Sequence, residues 1–555
     1  MKLKLFLLFA VVCCLAAADA RAQTYAITNA RSVTVSGPAI EKGTVVLRNG
    51  LIDAVGANVT APADAIVIDG TGFTVYPGFI DALTALGLQT PQRPTGGGGG
   101  GGGPQAQQQQ QQQATQPTSN SNYPAGLRPE ELVIDDVRAG EAQFEAARNA
   151  GFTTVLTVGR TGIFNGQSAV INLAGDSVSE MTVRSPFAEH VSFTTIGGGR
   201  YPVSLLGTFS ALRQMLLDAT RLQKLQKSYD ANPRGMKRPE PDRSLEALFP
   251  IINRQMPVVF NANSQNEITR ALDLAKEFNI RAIIAGGNES WKVAERLKAQ
   301  DVPVLLSLNF PKRTATASAE ADPEPIEVLR MRAEVPKNAQ RLQQAGVRFA
   351  FQSGGATSLT DFYTNAQKAV DAGLSNDAAI RAMTLGSAEV LGIDDRLGSI
   401  EKGKIANVVM VRGNVFGRDR FVSRTFVDGK MFEQREQPRR EGSRPGQTTP
   451  ATTPAVATVA GNYSINIDIP DQPLTGTLAL IQQGPVLTGT LSSQIGVVQI
   501  KDGKVTAEGF TFSGSIEFGG TQMEIVVRGT VNGNQISGTI DSPQGQVPYS
   551  GTRNP

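Results

Sequence analysis

The chain has 555 residues, 40% of them hydrophobic, enough for two or three domains with ordinary buried cores. Lys plus Arg number 53 against 50 for Asp plus Glu, with no long run of one sign, so neither nucleic acid nor an acidic membrane surface is an expected partner. Both cysteines fall within the first 22 residues and His190 is the only histidine, which excludes disulfides, cysteine nucleophiles and any site built on two imidazoles in the remaining chain.

Residues 1–22 read as a signal peptide, with Lys2 and Lys4 as the charged end, Leu5 to Leu15 as the apolar run and Ala20-Arg21-Ala22 as the cleavage site. The apolar run is shorter than the ~20 residues that span a bilayer, so the mature chain, from near Gln23, is expected to have no membrane span and to be periplasmic or secreted. Lipid attachment at Cys13 or Cys14 is disfavoured by bulky Val11 and Val12 just before them.

Residues 24–76 read as short strands, with an Asn49-Gly50 turn between apolar runs, and 394–433 carry a second β-like stretch. Together they are expected to form one composite β-sandwich. Between them, over 77–393, strand-like runs at Thr153–Val158, Val258–Asn261, Arg281–Ala285, Val302–Leu308 and Val347–Gln352 alternate with helical patterns at Asn266–Phe278 and Ser290–Ala299. Such repeated units imply an α/β fold with a parallel sheet, a (β/α)8 TIM-like barrel, with a doubly wound open sheet as the alternative. An insertion at 92–122, with eight glycines from Gly96 to Gly103 and the tract Gln107–Gln113, cannot bury apolar area and is expected to be disordered. After a Pro/Thr/Arg-rich linker at 434–458, residues 459–555 repeat a Gly-Thr-apolar cue at Gly476, Gly489, Gly529 and Gly538, with hairpins expected at Asp502-Gly503 and Asn532-Gly533. This predicts a C-terminal antiparallel β-barrel or sandwich module with a filled core.

The run Val75-Tyr-Pro-Gly-Phe-Ile-Asp-Ala-Leu-Thr-Ala-Leu-Gly-Leu88 resembles the first barrel strand of the amidohydrolase superfamily, in its imidazolonepropionase-like branch. Leu391-Gly-Ile-Asp-Asp-Arg-Leu-Gly-Ser-Ile-Glu-Lys-Gly-Lys404 is similar to that family's closing segment; Gly151-Phe-Thr-Thr-Val155 and an Asn165-Gly-Gln167 turn extend the resemblance over about 24–435. The resemblance implies hydrolysis of carbon–nitrogen bonds by one or two divalent metals, held by an H-x-H pair, a bridging lysine or glutamate, two further histidines and an aspartate. A catalytic zinc needs roughly three protein ligands and a free position for water. Here the H-x-H positions are Leu83 and Ala85, the fifth-strand histidine falls at Asn261 or Asn263, the sixth-strand histidine at Gly286 and the aspartate at Gly354. The bridging lysine is expected near Phe193, yet no lysine occurs between Lys42 and Lys224.

The expectation is therefore a degenerate member with no catalytic, cofactor-binding or metal-ligating residues and no cofactor, serving as scaffold or binding module. Assembly with an active relative or with itself is the expected partnership. Two alternatives stand beside it: a hydrolase of non-peptide carbon–nitrogen bonds using an unrecognised site, and ligand or surface binding through the C-terminal module. His190 reads as a structural histidine, Asp81 as a support of the strand end, and Glu289 and Asp361 as catalytic candidates only by exclusion. The emptied metal site is expected to be apolar and filled, with Leu83 buried in it.

Overall fold

The computed structural model describes residues 23–88, 123, 126–312, 324–434 and 459–554, apart from 141, 160, 196–200, 355–358, 418, 468–473, 485, 495, 506–508, 519–520 and 543–544. The expected leader, the 92–122 insertion and the linker from 435 to 458 lie outside the described residues. The chain forms two compact units, Met1–Gln437 and Pro438–Pro555.

The first unit opens with an eight-stranded sheet. Tyr25–Ser32 pairs antiparallel with Ile40–Arg48, which turns through Asn49 and Gly50 into Leu51–Gly56. Both turn residues have positive φ, 53° and 76°, as a two-residue turn between right-twisted strands requires. Far downstream, Val408–Arg412 pairs with Thr74–Pro77, and Phe421–Val427 and Lys430–Glu433 follow outward. Ile27, Val45, Leu47, Val75, Val408 and Phe426 bury one common face, so the two ends of the unit share a core.

The chain between these flanks alternates strands with helices. Phe79–Thr84 runs parallel to Phe152–Thr157. Glu189–Ser192, Val258–Ala262, Ala282–Gly286, Val304–Ser307 and Phe349–Gln352 form a continuous parallel ladder. Side chains alternate with the pleat: Ile80, Ala82, Val259, Ile283, Ala285, Leu305 and Ala350 share one interior cluster. Phe79, Phe152, Phe260, Ile284 and Phe351 take the other side, with helix residues such as Ile268 and Leu272. Helix Gln265–Glu277 starts at Ser264, whose Oγ accepts from Glu267 N while the Glu267 carboxylate accepts from Ser264 N.

The strand order differs from an all-parallel ring of eight. Phe164–Gln167 and Ala169–Asn172, bent at Ser168, run antiparallel to both neighbours, pairing with Glu189–Ser192 on one side and Phe152–Thr157 on the other. The turn expected at Asn165-Gly166-Gln167 is part of this strand. Two sheets result, of four and six strands, and they meet through Ser168 N to Ala188 O (2.9 Å) and Gly354 N to Leu83 O (3.3 Å). The architecture is of the TIM-barrel type with one reversed member. A 27-residue helix, Leu205–Ala231, capped by Ser204, follows Glu189–Ser192, the first strand of the parallel ladder, and is not among the elements expected from sequence.

In the second unit every strand is antiparallel to its neighbours. The order runs from Leu474–Gln483 through Gly461–Ile467, Gly545–Arg553, Gln535–Ser542, Thr521–Asn532, Phe510–Phe518 and Lys501–Val505 to Val486–Ser493, which pairs back with Leu474–Gln483. The ring is a closed barrel, and Tyr463, Leu478, Leu487, Val498, Phe512 and Val527 fill its inside. Asp502-Gly503 is a bulge inside a strand rather than a hairpin turn. The second hairpin turns on Gly533 and Asn534, one residue later than expected, because Asn532 still pairs with Gln535. Among the described residues, no helix is long and apolar enough to cross a membrane.

Candidate functional site

At the carboxyl ends of the parallel strands the interior opens into a cavity of about 530 Å³. The five positions where the family resemblance puts metal ligands, Leu83, Ala85, Asn261, Gly286 and Gly354, all line it, and so does Asn263. Phe193 does not: it packs its ring against Phe209 (4.6 Å between centroids) and Phe260 (5.9 Å). Glu289 and Asp361 also lie outside it. Glu289 accepts from Gln265 N and pairs with Lys292, and Asp361 pairs with Lys312 at 2.7 Å.

The expectation of an apolar, collapsed site is overturned. Leu83 is only half-buried and the cavity is open. Its walls carry the amides of Asn165, Asn261, Asn263, Asn288, Asn309 and Gln352 and the hydroxyls of Ser192 and Ser307. The physical reason is local: Gly286 and Gly354 contribute no side chain, and the residues beside them are polar and engaged with the strand ends. Ser192 Oγ donates to Asn165 Oδ1 at 2.7 Å, and Asn309 N donates to Ser307 Oγ at 3.1 Å. Two acceptors are left over, since buried Gln352 Oε1 and Asn288 Oδ1 have no hydrogen-bond partner.

Gly286 also shows how the old ligand position has closed. Its φ is +91°, and a Cβ built there would come within 2.3 Å of Asn263 Oδ1. The Asn263 side chain thus stands where a sixth-strand side chain would start.

Among the described residues, His190 is the one ionisable side chain lining the cavity. It shares the interior face with Ala188, two residues back along the pleat, whereas Glu189 points the other way. Its Nε2 lies 2.9 Å from Ser168 Oγ, which also donates to Ala188 O at 3.2 Å. With that hydroxyl proton committed to the carbonyl, Nε2 is the donor and Nδ1 the bare nitrogen. Burial pulls the imidazole down to about 3, so it is neutral at physiological pH. The partnership with Ser168 is invisible in sequence, because only the bend of the reversed strand brings two residues so far apart in the chain together.

Two buried carboxyls flank the site. Asp81 accepts from Ser353 N at 2.9 Å and Leu83 N at 3.3 Å, joining the first and last parallel strands, while its Oδ2 has no partner. Burial pushes it up to about 6 despite these hydrogen bonds. Glu189 has neither oxygen bonded; burial, then the charges of Glu130 and Glu131, push it well above the usual carboxylate range. Among the described residues, no group of three or more His, Cys, Asp or Glu is arranged to hold a metal ion.

A sequence profile of the amidohydrolase family matches residues 137–432, a little over half of the chain. The N-acetylglucosamine-6-phosphate deacetylase of Haemophilus influenzae is 41% identical over 81 residues, which are 15% of this chain and 19% of that enzyme. The match therefore spans about a fifth of that relative's length. Among solved structures, an amidohydrolase from Thermotoga maritima MSB8 superposes with a TM-score of 0.61 at 23% identity, over 74% of this chain and 100% of that one. That likeness is one of fold.

Proposed function

The chain belongs to the amidohydrolase family, and from that premise we propose that it is an exported member that has given up metal-dependent hydrolysis and keeps its strand-end cavity as a binding site. The observation that carries this is the donor set. Leu83, Ala85, Asn261, Gly286 and Gly354 supply no imidazole, carboxylate or thiolate, and a divalent metal needs several such ligands. The residues present do not fit the family's metal, so no step is routed through one. His190 is poorly suited to take over as catalyst: burial holds it near 3, so at neutral pH it has no imidazolium proton to give and is a weak base.

The alternative of a metal-free hydrolase has one feature in its favour, the Ser168–His190 pair. Ser168 has no solvent exposure, lies off the cavity wall and spends its hydroxyl proton on Ala188 O, so it has no access to a substrate carbonyl. Binding suits the cavity better. Among the described residues its walls carry side-chain amides and hydroxyls and no charged group, which matches an uncharged ligand bearing hydroxyl or amide groups. The test is calorimetry of the intact protein against polyols, carboxamides and lactams, repeated with Asn261→Trp to fill the cavity. Binding lost in that variant is the expected result. No binding in any class, binding indifferent to Asn261→Trp, or turnover of the compound would overturn the reading.

A further inference from the structure

At the opposite end of the same strands lies a second cleft, of about 540 Å³, whose walls are rich in cations. It sits where Pro257, Pro303 and Arg348 lead into the parallel ladder, far along the strands from the cavity just described. Five cationic side chains line it, Arg184, Arg254, Lys276, Arg281 and Arg348, against two carboxylates, Asp301 and Glu389. The carboxylates are already engaged. Asp301 pairs with Arg348 at 2.9 Å, and Glu389 pairs with Arg381, which is not part of the cleft wall.

Among the described residues, the remaining four cations have no anionic partner at hydrogen-bond distance. Arg254 donates to Asn279 O and Oδ1, and Arg184 donates to Leu391 O (3.1 Å) and Gly392 O (3.0 Å). Lys276 and Arg281 make no ion pair or side-chain hydrogen bond among the described residues. Arg184 is also held in place, over the Phe187 ring at 5.3 Å and in a space that exists because residue 392 is glycine: a Cβ there would approach its Nη1 to 2.5 Å. Burial and then the neighbouring Arg281 charge pull Arg184 below its ordinary value, with Asp395 acting in the opposite sense. Two guanidiniums thus line one cleft near enough for their charges to interact, and neither makes an ion pair among the described residues. Scattered surface cations carry no such constraint, and like charges held together repel unless an anion bridges them.

We propose that this cleft binds a compact small-molecule oxyanion with two or more negative charges, through phosphoryl or carboxylate groups. Guanidinium forks match both groups in a bidentate manner, and the volume is that of a small-ligand site. The surface is concave, which favours a small molecule over a membrane or a nucleic acid. The site is independent of the uncharged cavity at the other strand ends.

The experiment titrates the intact protein with pyrophosphate and, separately, with citrate by calorimetry at low and at raised salt. Binding of either is expected, weakening as salt rises; which of the two binds assigns the phosphate or the carboxylate source. In Lys276→Gln/Arg281→Gln, both exposed positions, affinity should fall at least tenfold with the thermal melt unchanged, whereas Asn261→Trp should bind as the wild type does. Because Arg184→Gln could disturb the helix end it caps, Arg184 is tested in the wild type by arginine-selective phenylglyoxal labelling mapped by mass spectrometry. The bound anion should protect Arg184 and Arg281 and leave exposed Arg238 labelled. Neither anion binding, affinity unchanged in the double variant, absence of protection, or capture by phosphatidylglycerol vesicles in place of the small anions would overturn the proposal.

Discussion

Asp81→Asn isolates the buried carboxyl that ties the first parallel strand to the last. Burial pushes Asp81 up to about 6 from the ordinary 3.8, so the folded chain holds its proton more tightly than the unfolded one. For a raised carboxyl the linked stability is highest where the folded group is protonated and is lost as pH rises from 3.8 through about 6. Those two values give a loss of about 1.4 kcal/mol between pH 5 and pH 8. Asparagine keeps an oxygen facing Ser353 N and Leu83 N but cannot ionise; its amide beside the former Oδ2 site costs about 1–3 kcal/mol at every pH. The expected outcome is that the gap between wild type and variant shrinks by about 1.4 kcal/mol on going from pH 5 to pH 8. Urea unfolding followed by tryptophan fluorescence measures it for the first unit alone, because Trp291 is the only tryptophan in the chain. A gap that stays constant with pH, or widens, refutes the assignment of a buried, proton-holding Asp81.

His190→Asn should act in the opposite pH sense. A histidine lowered to about 3 supplies stability that is present above 6.5 and lost as pH falls toward 3, about 2 kcal/mol of it by pH 5, and the variant's acid limb should lack that loss in the same fluorescence assay. Gly286→Ala should cost about 1–2 kcal/mol through left-handed backbone strain at φ +91°. Asn263 is exposed and can turn aside, so adding Asn263→Gly should not restore that stability; a double-mutant cycle in which it does would trace the cost to the side-chain clash instead. Leu272→Ala, at a fully buried position, should cost about 2–5 kcal/mol in urea unfolding, a larger effect than either cavity substitution.

Much of the first unit is legible in the chain because its strands are apolar runs bounded by proline or polar residues. Val258–Asn261 is expected and Val258–Ala262 observed; Asn266–Phe278 is expected and Gln265–Glu277 observed, with Ser264 and Glu267 as the starting signal. Direction is not legible. A buried run such as Ala169–Asn172 carries the same apolar pattern whether it lies parallel or antiparallel to its neighbours, so the reversed strand emerges only from the ladder. The long helix escapes notice because its buried positions end at Ala219, Leu217 and Leu225 are exposed, and its second half has no consistent apolar face. In the site, motif spacing locates Leu83, Ala85, Asn261, Gly286 and Gly354, but it speaks only to the metal ligands these positions lack and not to the polar surface they share. The polar walls come from residues just past different strands, such as Asn288 and Asn309, and only folding gathers them into one surface. The same holds for Ser168 beside His190 and for the cation cleft, whose members are scattered from Arg184 to Arg348.

The measurement closest to the central claim is elemental analysis of the purified protein, paired with hydrolysis assays on cyclic amides and dipeptides with added zinc, iron or manganese. With amides, hydroxyls and one neutral imidazole as the polar groups of its wall among the described residues, the cavity should retain well under one transition metal per chain and give no hydrolysis above background. Stoichiometric bound metal, removed by a chelator together with a hydrolytic activity, would contradict it.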